Sequence, residues 1–134
     1  MSRLRMILPV AVAVIGGLAV SIASPHSVKA AAGQCLDTKE WSGWKASPDS
    51  KSIYLRVGVR GIWRLDLQQE CPELHGIDAR LVNDNKSGSP FACSPQDLQL
   101  TIVNPPGQRA PCIVQSMSQM SPEAAAALPK ALQP

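Results

Sequence analysis

The sequence predicts an all-β domain: a small antiparallel barrel or sandwich of about five or six strands, with a short C-terminal helix. Three observations carry this expectation. Apolar residues alternate with polar ones through the middle of the chain. Turn-forming residues separate the alternating runs. Four cysteines, Cys35, Cys71, Cys93 and Cys112, span the same region. An even cysteine count in a short exported chain reads as two disulfides.

Export is read from the first thirty residues. Arg3 and Arg5 precede an apolar run from Met6 to Val20, and small residues follow at Ala30, Ala31 and Ala32. A charged start, an apolar middle and a small-residue end make a secretory signal. Cleavage is expected after Ala30, or else after Ala32. The expected organisation is a leader over 1–30, a disulfide-stabilised β domain over 31–120 and a short helical or fraying tail over 121–134. The apolar run is too short and too early for a spanning helix. A lipid anchor at Cys35 is disfavoured, because Gln34 stands where a small residue is needed. The expectation is therefore a periplasmic or extracellular domain with no stable membrane insertion.

The formal charge of +3 comes from the leader, which holds Arg3, Arg5 and Lys29 and no acid. Without them, ten Lys and Arg face ten Asp and Glu. A neutral domain lacks the field that generic nucleic-acid or membrane-surface binding requires.

The clearest pattern is Lys51 to Leu67. Ile53, Leu55, Val57 and Val59 alternate with Tyr54, Arg56, Gly58 and Arg60; after Gly61, Trp63, Leu65 and Leu67 alternate with Arg64 and Asp66. Period-two patterning means strands. A two-residue turn at Arg60-Gly61 would mix the two faces. A three-residue loop, Val59-Arg60-Gly61, sets Val57 opposite Trp63, Leu55 opposite Leu65 and Ile53 opposite Leu67, which keeps one face apolar. It also puts Gly61 where a left-handed backbone is needed.

The flanking elements follow the same logic. Cys35 to Lys45 reads as a first strand, bent at Gly43, and Ser47-Pro48-Asp49-Ser50 as a turn. Glu70 to Gly76 reads as a loop or a single helical turn, and Ile77 to Val82 as a short strand. Asn83 to Pro95 is rich in Asn, Ser, Gly and Pro and reads as a long exposed loop. A strand at Leu98, Leu100 and Ile102, a turn at Asn104 to Gly107 and a last strand over Cys112 to Met117 complete the sheet. Ser121-Pro122-Glu123 carries a serine cap and a proline at the first helical position, and Pro129 stops that helix.

Four cysteines allow three pairings. The expected one is Cys35 with Cys71 and Cys93 with Cys112, tying the first strand to the end of the hairpin and the long loop to the last strand. No CxxC motif or zinc-knuckle spacing is present, so structural disulfides are expected rather than redox or metal chemistry, with no cofactor and no metal.

This layout resembles a group of small exported bacterial proteins with four cysteines and no assigned activity. The matching residues are Cys35, Trp41, Tyr54-Leu55, Trp63 to Leu67, Cys71-Pro72-Glu73-Leu74, Cys93 and Cys112-Ile113-Val114. The resemblance spans Cys35 to Leu128. It implies the same fold and compartment and leaves function open.

Candidate functional residues fall into three sets. Arg56 lies opposite Arg64 in the expected register, with Arg60 at the turn. Like charges across a strand pair repel, so either an acidic or anionic partner neutralises them, or Asp66, Glu70 or another acid does so locally. Trp41, Trp44 and Tyr54 could stack on a sugar or peptide. Trp41 and Trp44 have opposite strand parity, so one is exposed unless a bulge at Gly43 restores it. Trp63 belongs to the core. A hydrolase would have to draw on Asp66, Glu70, Glu73, His75 and Asp78. No Gly-x-Ser-x-Gly elbow accompanies His75, the one histidine outside the leader, since His26 leaves with it. Asp78 and Asp84 near His75 lack metal-ligand spacing. The expected function is a non-catalytic binding or accessory protein of the cell envelope, holding an envelope protein or an anionic ligand. The alternative is a small carboxylate-dependent hydrolase built on Glu73, His75 and Asp78.

Overall fold

Alternation of apolar and polar residues builds the centre of the molecule. A computed structural model describes residues 34–134; the leader, with its cleavage sites and His26, lies outside the described residues. Strands β1 (Leu36–Asp37), β2 (Trp41–Ala46), β3 (Ser52–Val57) and β4 (Gly61–Leu67) come first. They are followed by β5 (Arg80–Asn83), β6 (Phe91–Ala92), β7 (Leu100–Asn104), β8 (Gln108–Cys112) and β9 (Val114–Gln119). The strands form three antiparallel sheets: a pair β1-β6, a four-stranded sheet in the order β2-β3-β4-β9 and a three-stranded sheet in the order β5-β7-β8. None of the three closes on itself, so the fold is an all-β sandwich and not a barrel.

The β3–β4 hairpin keeps the expected apolar face but not the expected register. Val57 pairs with Gly61, Leu55 with Trp63 and Ile53 with Leu65. The loop is therefore Gly58-Val59-Arg60, and the slip of two residues leaves face parity intact. Gly58, with φ +65°, supplies the left-handed position expected of Gly61. Its N–H donates to the Glu40 carbonyl at 3.0 Å, which anchors the turn to the bend just before β2. Gly61 is needed for a different reason: a Cβ there would lie 2.6 Å from the Val57 carbonyl oxygen. Arg56 consequently faces Ile62, and Arg64 faces Tyr54; the two arginines are not opposite one another.

One core joins the sheets. Ile53, Leu55, Val57, Trp63, Leu65 and Leu67 of the hairpin meet Leu100 and Ile102 of β7, Ala92 of β6 and Leu36 of β1. Leu36, Ile53, Leu55, Leu65 and Ile102 are completely enclosed. Each such side chain stabilises the fold by about 1.5–3 kcal/mol relative to exposure.

Both disulfides form, with a pairing other than the expected one: Cys35 bonds Cys93 and Cys71 bonds Cys112. Strand adjacency is the cause. Leu36 pairs with Ala92 across β1-β6, which brings the two flanking cysteines side by side. The polar run read as one long loop thus conceals a strand, β6. The single last strand expected over Cys112 to Met117 is in fact two, β8 and β9, parted at Ile113 and belonging to different sheets.

The segment read as a short helical or fraying tail forms α1 (Pro122–Ala126) and a 3-10 turn at Lys130–Leu132. Ser121 Oγ accepts the Ala124 N–H, as its capping role requires. Helix α1 packs on β4 and the 3-10 turn packs on β2. Tyr54 and Ile62, on the sheet face away from the main core, are buried.

Candidate functional site

The hairpin arginines are largely committed within the fold. The Arg56 guanidinium donates to the Pro134 carbonyl oxygen through Nε, at 2.8 Å, and through Nη2, and so holds the tail to the sheet. Arg64 pairs with Asp66 at 2.8 Å. Asp66 also accepts the Ser52 hydroxyl at 2.7 Å and the Ser116 hydroxyl at 3.1 Å. Partial burial pushes the Asp66 pKa up, but the bonds from Ser52 and Arg64 outweigh it and leave the group below the usual carboxylate value. The bond that Arg64 donates to Asp66 in turn raises the Arg64 pKa. Arg60 stands exposed at the hairpin tip.

Apart from Asp66, the hydrolase candidates are exposed side chains. Glu73 and His75 lie on an exposed 3-10 turn, Pro72–His75, whose buried residue is Leu74. Asp78 is exposed and adopts a left-handed backbone, φ +58°. Glu70 pairs with Lys51 at 3.4 Å. Among the described residues no group of three or more His, Cys, Asp or Glu is placed to hold a metal. The carboxyls that the fold perturbs, Asp49, Asp66, Asp84 and Asp97, all have lowered pKa values. A general acid at neutral pH needs the opposite shift.

The aromatic set divides. Tyr54 is buried, 7% exposed, and offers no contact surface. Trp41 and Trp44 are both half-buried and packed against the core. A bulge explains how two residues of opposite parity share a side: Trp41 pairs with Val57, Gly43 with Arg56 and Trp44 with Leu55, leaving Ser42 as the extra residue.

Trp41 also lines an open cleft of about 420 Å³, between the 38–41 segment and the β5 region. Its apolar lining is Trp41, Leu81, Val82 and Pro90; Thr38, Lys39, Asn83, Asn85 and Ser89 supply polar groups. The Cys35–Cys93 disulfide and the β1-β6 pair brace one wall. There Thr38 donates both its N–H, at 2.8 Å, and its hydroxyl, at 2.9 Å, to the Pro90 carbonyl. The Asn83 carboxamide oxygen accepts the Gln99 N–H at 3.0 Å, and that of Asn85 accepts the Ser87 N–H at 2.8 Å. Of these residues only Trp41 was singled out by the sequence. Asn83, Asn85 and Ser89 belong to the polar run read as loop, and their gathering around an indole depends on the pairing of β1 with β6.

A second cleft, of about 600 Å³, lies where β7, β8 and the start of β9 meet, lined by Gln68, Gln96, Gln99, Lys86 and the exposed Ile113. Its one acid, Asp84, is bound to Arg109 at 2.6 Å. No aromatic side chain lines it.

No family model matches the chain, and neither a curated protein nor a solved structure shows significant similarity to it.

Proposed function

We propose that the protein is an exported, non-catalytic binding module of the cell envelope, akin to the four-cysteine proteins it resembles, and that the Trp41 cleft is its contact site. Two disulfides call for an oxidising compartment, and the leader pattern agrees with a periplasmic address. Among the described residues no helix is long and apolar enough to cross a membrane. The observation that carries the reading is a contrast. Most charged groups singled out for chemistry are spent on structural bonds or stand exposed, whereas the cleft combines a half-buried indole with side-chain donors that have no partner among the described residues.

The test is capture from an envelope extract by the immobilised oxidised protein, beside a Trp41→Ala variant and an Arg56→Ala/Arg64→Ala variant. A protein or glycan retained by the first and third and lost from the second supports the reading. Equal retention by all three, or retention by none, overturns the cleft as contact site.

A further inference from the structure

We propose that the Trp41 cleft takes an acidic saccharide, a short oligosaccharide whose rings carry carboxylates. This rests on the binding reading above and adds the ligand's chemistry.

The donors decide the class. Only the oxygen of a carboxamide can accept an N–H, so the backbone bonds to Asn83 and Asn85 fix how both side chains are turned. Each therefore keeps an NH₂ group with no partner among the described residues. Lys39 is exposed and forms no ion pair there, and no carboxylate lines the cleft. One cation and two amide donors, with the nearby Asp37 carboxylate turned to the Lys39 N–H and outside the lining, suit a ligand rich in acceptors and negatively charged. The apolar side of the cleft, Trp41 with Leu81, suits the C–H face of a sugar ring; an indole buries large area at little entropic cost.

The rival occupant is an acidic peptide strand, since β2 and β5 are both at sheet edges. Two features oppose it. The β2 edge is bulged at Trp41–Gly43 and β5 is four residues long, and bulges and short strands blunt an edge against pairing.

Calorimetric titration of the oxidised chain tests the idea, with trigalacturonate, its methyl ester and an acetylated acidic pentapeptide as probes. Trigalacturonate should bind, and the ester at least about tenfold more weakly, since one charge-assisted bond is worth that much. Lys39→Ala, an exposed change that leaves the core untouched, should weaken trigalacturonate by about tenfold and leave the ester unchanged. Equal binding of acid and ester, tighter binding of the peptide, or no saccharide binding at millimolar concentration each overturns the ligand class. If the saccharides fail while Trp41 is still needed for capture from the extract, the ligand class falls and the binding module stands. If both fail, both readings fall.

Discussion

The two disulfides close loops of similar length, 58 and 41 residues, in opposite surroundings. Cys71 and Cys112 are 4% and 3% exposed and belong to the core cluster. Cys35 and Cys93 are exposed and sit beside a two-residue strand pair and a cleft. Loop length alone assigns each about 4 kcal/mol in the chain-entropy account. The comparison teaches that the same bond can be part of the interior in one place and a surface clamp in another, and cysteine spacing does not distinguish them.

The largest predicted effect separates the two. Replacing Cys71 and Cys112 by serine removes about 4 kcal/mol of chain constraint and buries two hydroxyls without partners, about 1–2 kcal/mol more. Replacing Cys35 and Cys93 by serine should cost only about 3–4 kcal/mol, because those hydroxyls meet water. Urea unfolding of both double variants measures the gap, and equal losses would dissolve the distinction. Phosphine reduction under native conditions sharpens it further, since the Cys35–Cys93 bond should open first.

Smaller changes probe each region's neighbourhood. On the buried side, a Cβ at Gly76 would overlap the Asn104 carboxamide. Asn104 also donates to the Glu73 carbonyl at 3.2 Å, so Gly76→Ala should cost about 2 kcal/mol, visible as a lower urea midpoint. On the surface side, Thr38→Val removes the hydroxyl bond to Pro90 while the backbone bond remains. It should cost about 1 kcal/mol and hasten reduction of Cys35–Cys93 without changing that of Cys71–Cys112.

The weakest lever is acid. Asp97 accepts the Ser94 and Cys93 N–H groups, both at 2.9 Å, and these bonds lower its pKa below 3.8. Because the folded value lies below the unfolded one, its contribution is present above about pH 4 and is lost as pH falls through the lower, folded value. Hydrogen exchange of the Cys93 and Ser94 amides should therefore rise as pH falls from 4 to 2 beyond the intrinsic trend, while amides of β3 stay protected. Loss of protection in both at one pH would contradict a locally weaker clamp.

The parts of the fold legible beforehand are those set by short-range alternation. The apolar face of Ile53, Leu55, Trp63 and Leu65 follows from a period of two. The serine cap of α1 follows from three consecutive residues. The register slipped because two glycines, Gly58 and Gly61, could each satisfy the turn, and the choice rests on Glu40, which lies eighteen positions before Gly58. The disulfide pairing was hidden because β6 is only Phe91–Ala92, embedded in residues that read as loop. The tail's packing was hidden too: Tyr54 and Arg56 look like solvent-facing residues until Pro134 is seen bonded to Arg56. The Trp41 cleft shares this origin, since it is assembled from segments some forty residues apart.

The bulge that brings Trp41 and Trp44 to one side has a consequence for how the chain tolerates change in length. Substituting Ser42 alters one exposed side chain. Deleting it would return β2 to strict alternation with the pairing intact, since Trp41, Gly43 and Trp44 already lie opposite Val57, Arg56 and Leu55. Trp41 would stand two positions from Trp44, on the same side of the sheet, and would keep its place opposite Val57. At this point a missing codon is absorbed by the bulge, and a homologous chain that lacks the extra residue should be expected to keep the cleft.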